Sequence, residues 1–420
     1  MKLSCLQENL SKGLSIVGRA VATRSTLPIT QNILLSAEQS RLKLAATNLE
    51  MAITCWIDAK IKQKGEITVP ARLLIDFVNS LPPSKESEFL CDNCLLSWRA
   101  GRACENAQYP RAKECADYKP KSTRPSGLIE INLPANSRIL ELKSGHFQAH
   151  FHGIDAADFP PIPQITDGFT TSIDAASLRQ GITQVAFAAA TEESRPVLTG
   201  INTEFDGEQL NLVAADGFRL AVYKTTLISP VKEKTTIIIP ARTLTELNRL
   251  LGEQEEPVEI TVNEKKSQVL FRLKDAELVS QLIQGSFPNY SQVIPQSYTT
   301  RAVVDVNEFL RVTKMSSIFA RDASGIVRLV ITPSSELTPG KVTVSAQAEE
   351  VGGNVSEIDA LIDGEEAKIA FNVKYLSDVL SVLPQAQVAL EVTTPSSPGV
   401  IRPIGVDNYV HVVMPMFVQW

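Results

Sequence analysis

The fold is decided by a segment that occurs three times, as VPARLLIDFVNSL at 69–81, IPARTLTELNRLL at 239–251 and FNVKYLSDVLSVL at 371–383. Each copy starts extended and continues with apolar residues at helical spacing, such as Leu244 and Leu247 in the second copy. The proline near the start of the first two copies suits the first turn of a helix. The segment therefore predicts three amphipathic helices, one in each of three repeated units.

A second helical pattern precedes each of these segments, and strand-like stretches lie between the two patterns. The helical patterns span 6–21, 174–189 and 306–320, and the strand-like stretches span 42–53, 210–222 and 342–351. Corresponding positions in the two patterns are separated by 60, 62 and 63 residues in the three copies. This near-constant spacing indicates three copies of one α+β unit. Two amphipathic helices need a sheet to cover their apolar faces, and an antiparallel sheet with one solvated face fits that need.

The repeat divides the 420 residues into three predicted domains, residues 1–166, 167–297 and 298–420. The first domain carries an insertion of about 42 residues, placed at about 86–126.

The composition is that of an ordinary folded protein, with 44% apolar and 21% charged residues. The chain has no run of 18 apolar residues, and its first residues lack the apolar core of a signal peptide. Six cysteines are too few for a disulfide scaffold in a chain of this length. We therefore expect a cytoplasmic protein that does not bind membranes.

The net charge of −6 is unevenly distributed along the chain. The six helical segments carry 12 basic and 10 acidic residues, a net of +2, and residues 91–126 carry a net of +3. The remaining strands and loops therefore carry −11. Either the helices form a surface that meets phosphates loosely while the sheets repel nucleic acid, or they present ordinary solvated faces.

Motifs of the common enzyme classes are absent from the sequence. It contains no GxxxxGK[ST] loop, no GxGxxG before a helix, no GxSxG elbow, no HExxH and no compact carboxylate cluster. We expect a non-catalytic protein with no catalytic residue, no cofactor and no metal site.

Two clusters leave a metal-binding alternative open. His146, His150 and His152 share parity, so in a strand they lie on one face; a half-exposed strand is the simpler interpretation, and a metal-dependent hydrolase or transferase is the other. In the insertion, Cys91 and Cys94 form a CxxC, followed by Cys104 and Cys115, a pattern that fits either zinc or a flexible loop. Cys5 and Cys55 lie in apolar surroundings and are predicted to be buried in the core.

Several motifs resemble one known family. AADGFRLAV (214–222), GSFPNY (285–290), YVHVVMPM (409–416) and RSTLPITQNILL (24–35), together with the threefold repeat and VPAR, resemble the bacterial sliding clamp, the β subunit of DNA polymerase III. The resemblance covers nearly the whole chain outside about 86–126.

The resemblance implies a DNA polymerase processivity factor. Two three-domain protomers would join head to tail in a ring, with two helices per domain lining the hole and antiparallel sheets outside. The ring would encircle duplex DNA without sequence specificity. Implied partners are a second copy of the chain, the replicative polymerase catalytic subunit, the clamp loader, and other polymerases, mismatch-repair proteins and ligases that carry clamp-binding peptides.

The resemblance also implies DNA-contacting arginines. Arg24 matches such a residue of the first domain, and Arg72, Arg195 and Arg242 are further candidates for phosphate contact. Family members have DNA-contacting aromatic residues after the position of Arg195, whereas this chain has Pro196-Val197 there, so DNA contact through this loop is in question.

The remaining implied sites are a peptide groove and a subunit interface. The interface would pair Ala149 and Phe151 of one chain with Ile318 and Phe319 of the other, although all four residues could instead be intradomain core. Apolar walls suit a short peptide with an apolar tail, and Met adapts to several partners. The last strand could alternatively pack Met414 to Met416 into the core. The tail 417–420 extends beyond the usual family end. The implied groove residues are Leu198, Ala215, Gly217, Phe218, Arg219, Leu220, Pro288, Val293, Asn372, Tyr375, Val413, Met414, Pro415 and Met416.

Overall fold

A computed structural model describes residues 1–22, 27–38, 40–82, 127–192, 194–252, 254–320, 325–336, 338–348 and 352–420. These residues form two compact units, one of residues 1–164 with 274–279 and one of residues 165–273 with 280–420. The three predicted domain boundaries stay a prediction. The predicted insertion lies outside the described residues.

The part of the chain up to residue 164 contains two α-helices and nine strands among its described residues. In chain order they are β1 (Lys2–Leu6), α1 (Gln7–Val17), β2 (Asn32–Ala37), β3 (Arg41–Thr47), β4 (Met51–Asp58), β5 (Lys60–Gln63), β6 (Gly65–Pro70), α2 (Ala71–Ser80), β7 (Leu128–Asn132), β8 (Ile139–Ser144) and β9 (Phe147–His152).

The described residues after position 164 contain four further α-helices. In chain order the elements are β10 (Phe169–Ile173), α3 (Ala175–Val185), β11 (Gly200–Asp206), β12 (Gln209–Ala215), β13 (Arg219–Thr226), β14 (Thr235–Pro240), α4 (Ala241–Leu250), β15 (Val258–Val262), β16 (Gln268–Arg272), β17 (Ala276–Gln281), β18 (Thr300–Asp305), α5 (Val306–Ala320), β19 (Ile326–Thr332), β20 (Lys341–Ala348), β21 (Gly352–Asp359), β22 (Leu361–Gly364), β23 (Ala367–Asn372), α6 (Val373–Ser381), β24 (Gln387–Val392), β25 (Gly399–Pro403) and β26 (Tyr409–Val413).

In the first unit, antiparallel sheets carry a pair of helices. Strands follow one another in the order β5-β1-β7-β8-β9 in one sheet and β17-β4-β3-β2-β6 in another. Helix α1 packs on β3 and β4 and against α2. Leu10, Leu14 and Val17 of α1 are fully buried, which places its apolar stripe on the sheet.

In the second unit, one antiparallel sheet links two of the repeats. Its described strands run in the order β14-β11-β12-β13-β26-β25-β24-β18-β22, and β13 pairs with β26 at its centre. Strands β21-β20-β19-β23 form another sheet, and β15 pairs with β10 on one side and with β16 on the other. Helix α3 packs on β12 and β13, α5 packs on β20 and β21, and the pairs α3–α4 and α5–α6 are in contact.

The predicted α+β repeat is confirmed, with a pair of packed helices in each copy. Two of the predicted strand-like stretches are hairpins rather than single strands, because a polar residue turns the chain within each. Asn48 Oδ1 accepts the backbone N–H groups of Glu50 and Met51 at 3.0 and 2.9 Å. Asp216 Oδ1 does the same in the second copy. Side chains that imitate the backbone in this way favour turns.

Glycines at equivalent positions of α1 and α3 let these helices approach their sheets closely. A Cβ on Gly13 would lie 2.8 Å from side-chain atoms of Leu44 and Ile57. A Cβ on Gly181 would lie 2.7 Å from the ring of Tyr223 and 3.0 Å from Leu212. Glycine in a helix interior lowers stability, but at these two positions it lets the helix pack closely on its sheet.

None of the helices in the described ranges is long and apolar enough to span a membrane.

The close approach predicts that Gly181→Ala destabilises the protein although Ala is the better helix former. Better helix propensity contributes up to about 1 kcal/mol, whereas overpacking a tight core costs about 1–3 kcal/mol. We expect the free energy of unfolding in urea to fall by about 1–2 kcal/mol. The neighbouring half-buried Gln180→Ala is the control and should change it by less than about 0.5 kcal/mol. A Gly181→Ala protein as stable as the parent would contradict the packing argument.

Candidate functional site

A cavity of about 220 Å³ opens on the second unit. It lies where the turn between β12 and β13, the segment 287–293 and the end of β26 come together. We call it the groove. The residues that line it are Arg195, Leu198, Ala215, Gly217, Arg219, Leu220, Phe287, Pro288, Asn289, Tyr290, Val293, Val412 and Met414.

The floor of the groove is apolar because it is the edge of a packed core. Leu220 pairs with Val412 across β13 and β26, and both side chains are buried. Phe287 and Tyr290 pack against the same cluster from outside the sheet. Strands β13 and β26 are far apart in the sequence, and their antiparallel pairing in the sheet brings them together. A short apolar side chain from a partner would thus meet a preformed surface.

The turn at residues 216–219 has a fixed geometry. Asp216 Oδ1 accepts the N–H groups of Phe218 and Arg219 at 2.8 and 3.0 Å. Gly217 has φ +94°, and a Cβ there would lie 2.9 Å from Nη1 of Arg195. Glycine is therefore needed both for the backbone conformation and for the approach of Arg195.

Arg219 is a buried structural anchor of the groove. Its side chain is 6% exposed and forms ion pairs with Asp216 at 3.0 Å and Asp378 at 2.7 Å. It also donates a hydrogen bond to the carbonyl of Phe187 at 2.6 Å, and its guanidinium lies 4.5 Å from the ring centroid of Tyr375. These contacts use the planar fork of Arg in a way that Lys could not.

Charge and burial near Arg219 also set the protonation of a neighbour. Burial, and then the positive charge of Arg219, lower the pKa of His411 to about 3. The imidazole is therefore neutral at physiological pH, and it lies 5.4 Å from the ring of Phe187.

Tyr290 fixes the opposite wall. Its hydroxyl donates a hydrogen bond to Glu204 Oε2 at 3.1 Å. Burial, and then the adjacent Glu204 carboxylate, raise the pKa of Tyr290 to about 12. The phenol therefore stays protonated and keeps donating this bond near neutral pH.

The structure brings eight of the fourteen predicted groove residues together around the cavity. The other six do not line it: Phe218 stacks on Tyr375, Asn372 caps α6, Met416 donates its N–H to Ala370, Pro415 follows β26, and Val413 is fully buried in β26. In the tail beyond them, Phe417, Gln419 and Trp420 are exposed, with Phe417 at 88%.

The sequence interpretation did not assign Phe287, Asn289, Tyr290 or Val412 to the groove. The first three belong to the motif GSFPNY, which resembles the family as a whole but was not assigned residue by residue to the groove.

The four predicted DNA-contacting arginines lie in different settings. Arg24 lies outside the described residues. Arg72, in the first turn of α2, has a 94% exposed side chain, and Arg242 is exposed at the equivalent position of α4. Arg195 lines the groove, where Nη2 donates a hydrogen bond to the carbonyl of Asp216 at 3.2 Å, and its contact with DNA stays a prediction.

The predicted interface residues lie on β9 and α5. Ala149 is half-buried on β9, and Phe151 is 6% exposed with its ring 5.8 Å from that of Phe77 in an edge-to-face contact. This contact is of the kind expected if Phe151 is a core residue of its own domain, the alternative to a place in the subunit interface. Ile318 is 64% exposed on α5, and Phe319 is half-buried.

The described residues offer little to a metal ion. His150 and His152 are exposed on β9, and His146 precedes the strand. No group of three or more His, Cys, Asp or Glu in the described ranges could hold a metal. Cys91, Cys94, Cys104 and Cys115 fall outside those ranges. The prediction that Cys5 and Cys55 are core residues is confirmed, since both are free and buried.

Comparisons with known proteins agree over the whole chain. Residues 1–103, 172–289 and 291–417 match the N-terminal, central and C-terminal domains of the DNA polymerase III beta subunit. The beta sliding clamp of Synechocystis sp. is 31% identical, and that of Bacillus subtilis 28%, each over 99% of both chains. The crystal structure of the Bacillus subtilis DNA polymerase sliding clamp has a TM-score of 0.83 at 27% identity and covers 100% of both chains.

With three domain matches in order and relatives aligned end to end, the chain belongs to the DNA polymerase III beta subunit family, the beta sliding clamps, which are non-catalytic polymerase processivity factors.

Proposed function

We propose that two copies of this chain close into a ring around duplex DNA and tether a polymerase through the groove of the second unit. The observation that carries the proposal is the preformed apolar groove at the end of β26, beside Met414. The replicative polymerase catalytic subunit and the clamp loader would dock there. Other polymerases, mismatch-repair proteins and ligases with similar peptides would share the site. The setting would be cytoplasmic.

The groove suits a short peptide with an apolar tail and a polar anchor. Leu198, Leu220 and Val293 offer apolar contact, and the half-exposed Met414 can adapt to different side chains. The Arg195 guanidinium at the rim offers donors to a polar anchor. Affinity would then come from the walls and orientation from the rim.

The groove proposal predicts that Met414→Ala weakens peptide binding. Met414 lines the cavity, while its backbone N–H bond to Phe218 survives the substitution. Removing a central apolar contact typically costs 1–3 kcal/mol, so we expect the Kd for a fluorescent polymerase-derived peptide to rise about tenfold or more. Phe417→Ala, three residues away and highly exposed, is the matched control. Equal affinity of the parent and Met414→Ala for the peptide would refute this use of the groove.

DNA would be held loosely. The helical segments carry a net of +2 in a chain of −6, so the acidic residues lie mainly on strands and loops. Arg72 and Arg242 occupy equivalent exposed positions on the second helix of two repeats. A few phosphate contacts of this kind give weak non-specific binding, which permits sliding.

This arrangement predicts a change in salt dependence. Each phosphate contact contributes about 0.9 to the slope of log K against log salt, so Arg72→Ala with Arg242→Ala should lower it by about 2 per chain. The measurement is duplex binding by fluorescence anisotropy between low and moderate salt. Arg272→Ala, on strand β16, removes a positive charge from a sheet instead of a helix and should leave the slope unchanged. A double variant with the parental slope would exclude these phosphate contacts.

The ring would close through two strand edges. β9 ends one sheet of the first unit, and β21 ends the four-stranded sheet of the second unit among the described strands. Unpaired edges readily pair with another chain. Ala149 lies on β9, and the exposed Ile318 lies on α5, which packs on β21. We propose that these surfaces meet between protomers.

The interface proposal predicts that Ile318→Arg converts a dimer into a monomer. The parent chain of 45.9 kDa should sediment as a species of about twice that mass at micromolar concentration. An arginine at a buried apolar contact should weaken association by about a hundredfold or more, because its charge is left unpaired. Leu361→Arg, at an exposed apolar site on β22, is the control and should remain dimeric. A monomeric parent, or a dimeric Ile318→Arg, would contradict the proposal.

A further inference from the structure

A second and larger cavity lies behind the groove. It has a volume of about 480 Å³ and is bounded by β11, β14 and the segment from Leu282 to Tyr290. We call it the rear pocket. Phe287, Pro288, Asn289 and Tyr290 line both the rear pocket and the groove. A single four-residue wall therefore separates the two cavities.

The rear pocket exposes the backbone edge of a sheet. β14 is the terminal strand of its sheet among the described strands, and Ile238 forms an isolated antiparallel bridge with Ile283. The N–H of Ile283 donates to the carbonyl of Ile238 at 2.9 Å, so Ile238 directs its backbone away from β11. Along an antiparallel strand, residues whose backbone N–H and C=O groups point toward one neighbouring strand alternate with residues whose groups point away from it. Thr236 and Pro240 therefore face the same way, and proline suits such an edge.

Thr236 is the position on this edge where another strand could pair with the backbone. It is exposed and lines the rear pocket, and its N–H and carbonyl point away from β11 by the same alternation. The bridge at Ile238 shows that this edge already accepts one antiparallel neighbour. An extended peptide could continue that pairing at Thr236, which is the common mode of strand addition to a sheet edge.

A charged acceptor lies next to that edge. Glu204, opposite Thr236 on β11, accepts hydrogen bonds from Asn202 at 2.9 Å, Asn211 at 3.2 Å and Tyr290 at 3.1 Å. A carboxylate has about four acceptor positions, so these three bonds leave one on Oε1. The pocket thus favours a peptide with a side chain that donates hydrogen bonds next to the paired backbone.

We propose that the rear pocket binds an extended stretch of the same partner chain whose anchor fills the groove, adding it as a strand to the edge of β14. The continuous wall from Phe287 to Tyr290 is what links the two cavities, and the inference rests on the proposed function of the groove. A partner would then hold the clamp at two adjoining points. Partners with suitable flanking residues would outcompete those that use the groove alone.

The test compares two synthetic peptides from the polymerase catalytic subunit of the same organism. One is the short groove peptide, and the other carries in addition about six natural flanking residues on each side, the usual length of a strand. With the full-length clamp dimer, we expect the long peptide to bind about tenfold more tightly, as one or two backbone hydrogen bonds would give. Equal affinities for the two peptides would overturn the proposal.

Thr236→Pro tests the edge itself. It removes the outward N–H at an exposed edge position, so the advantage of the long peptide should disappear while the short peptide binds as before. Thr236→Ala retains the N–H and should keep the advantage. A Thr236→Pro clamp that still prefers the long peptide would overturn the proposal. Failure of the short peptide to bind the parent would instead refute the groove.

Hydrogen exchange on the unaltered clamp gives an independent readout. The Thr236 amide should become protected when the long peptide is bound and should stay unprotected with the short peptide. Absence of protection with a saturating long peptide would overturn strand addition at β14, even where Thr236→Pro fails to fold.

Discussion

The buried guanidinium of Arg219 is the interaction on which the groove depends. It joins the turn after β12, the carbonyl of Phe187 after α3, and Asp378 of α6, elements that belong to two different repeats. A buried charge with fewer partners would be strongly destabilising, so the ion pairs and the hydrogen bond have to form together. Their formation fixes Tyr375 and Phe218 beside the cavity and leaves Gly217 in the one backbone conformation that admits Arg195.

Repetition explains why so simple a unit can build such a site. Gly13 and Gly181 bring the first helix of two copies onto their sheets, and Asn48 and Asp216 turn the following hairpins in the same way. The second copy adds the groove to this shared frame. Its turn residue Asp216 also pairs with Arg219, so the turn that is purely structural in the first copy becomes part of the groove in the second. The family of beta sliding clamps uses this repeated unit without catalytic chemistry.

The sequence predicted the elements that depend on local pattern. The six helices, the threefold repeat and the buried Cys5 and Cys55 followed from spacing and apolar surroundings, and family motifs pointed to most of the cavity lining. Contacts between distant segments do not follow from local pattern, and only the family resemblance grouped Leu220 with Met414 in one groove. Arg219 and Asp378 are 159 residues apart, and only the pairing of β13 with β26 brings Met414 beside Leu220. The predicted DNA contact of Arg195 stays a prediction, and no local pattern reveals its hydrogen bond to Asp216 at the groove.

A closed ring around DNA differs from a protein bound to the DNA surface in that it can leave only where the DNA has a free end. Labelled clamp is loaded by its clamp loader onto nicked circular duplex, the free protein is removed, and retention is measured before and after a restriction enzyme linearises the DNA. We expect long retention on the circle and rapid loss from the linear product, because loose phosphate contacts alone cannot hold the protein. Equal retention on both DNA forms would contradict a ring and would indicate direct binding instead.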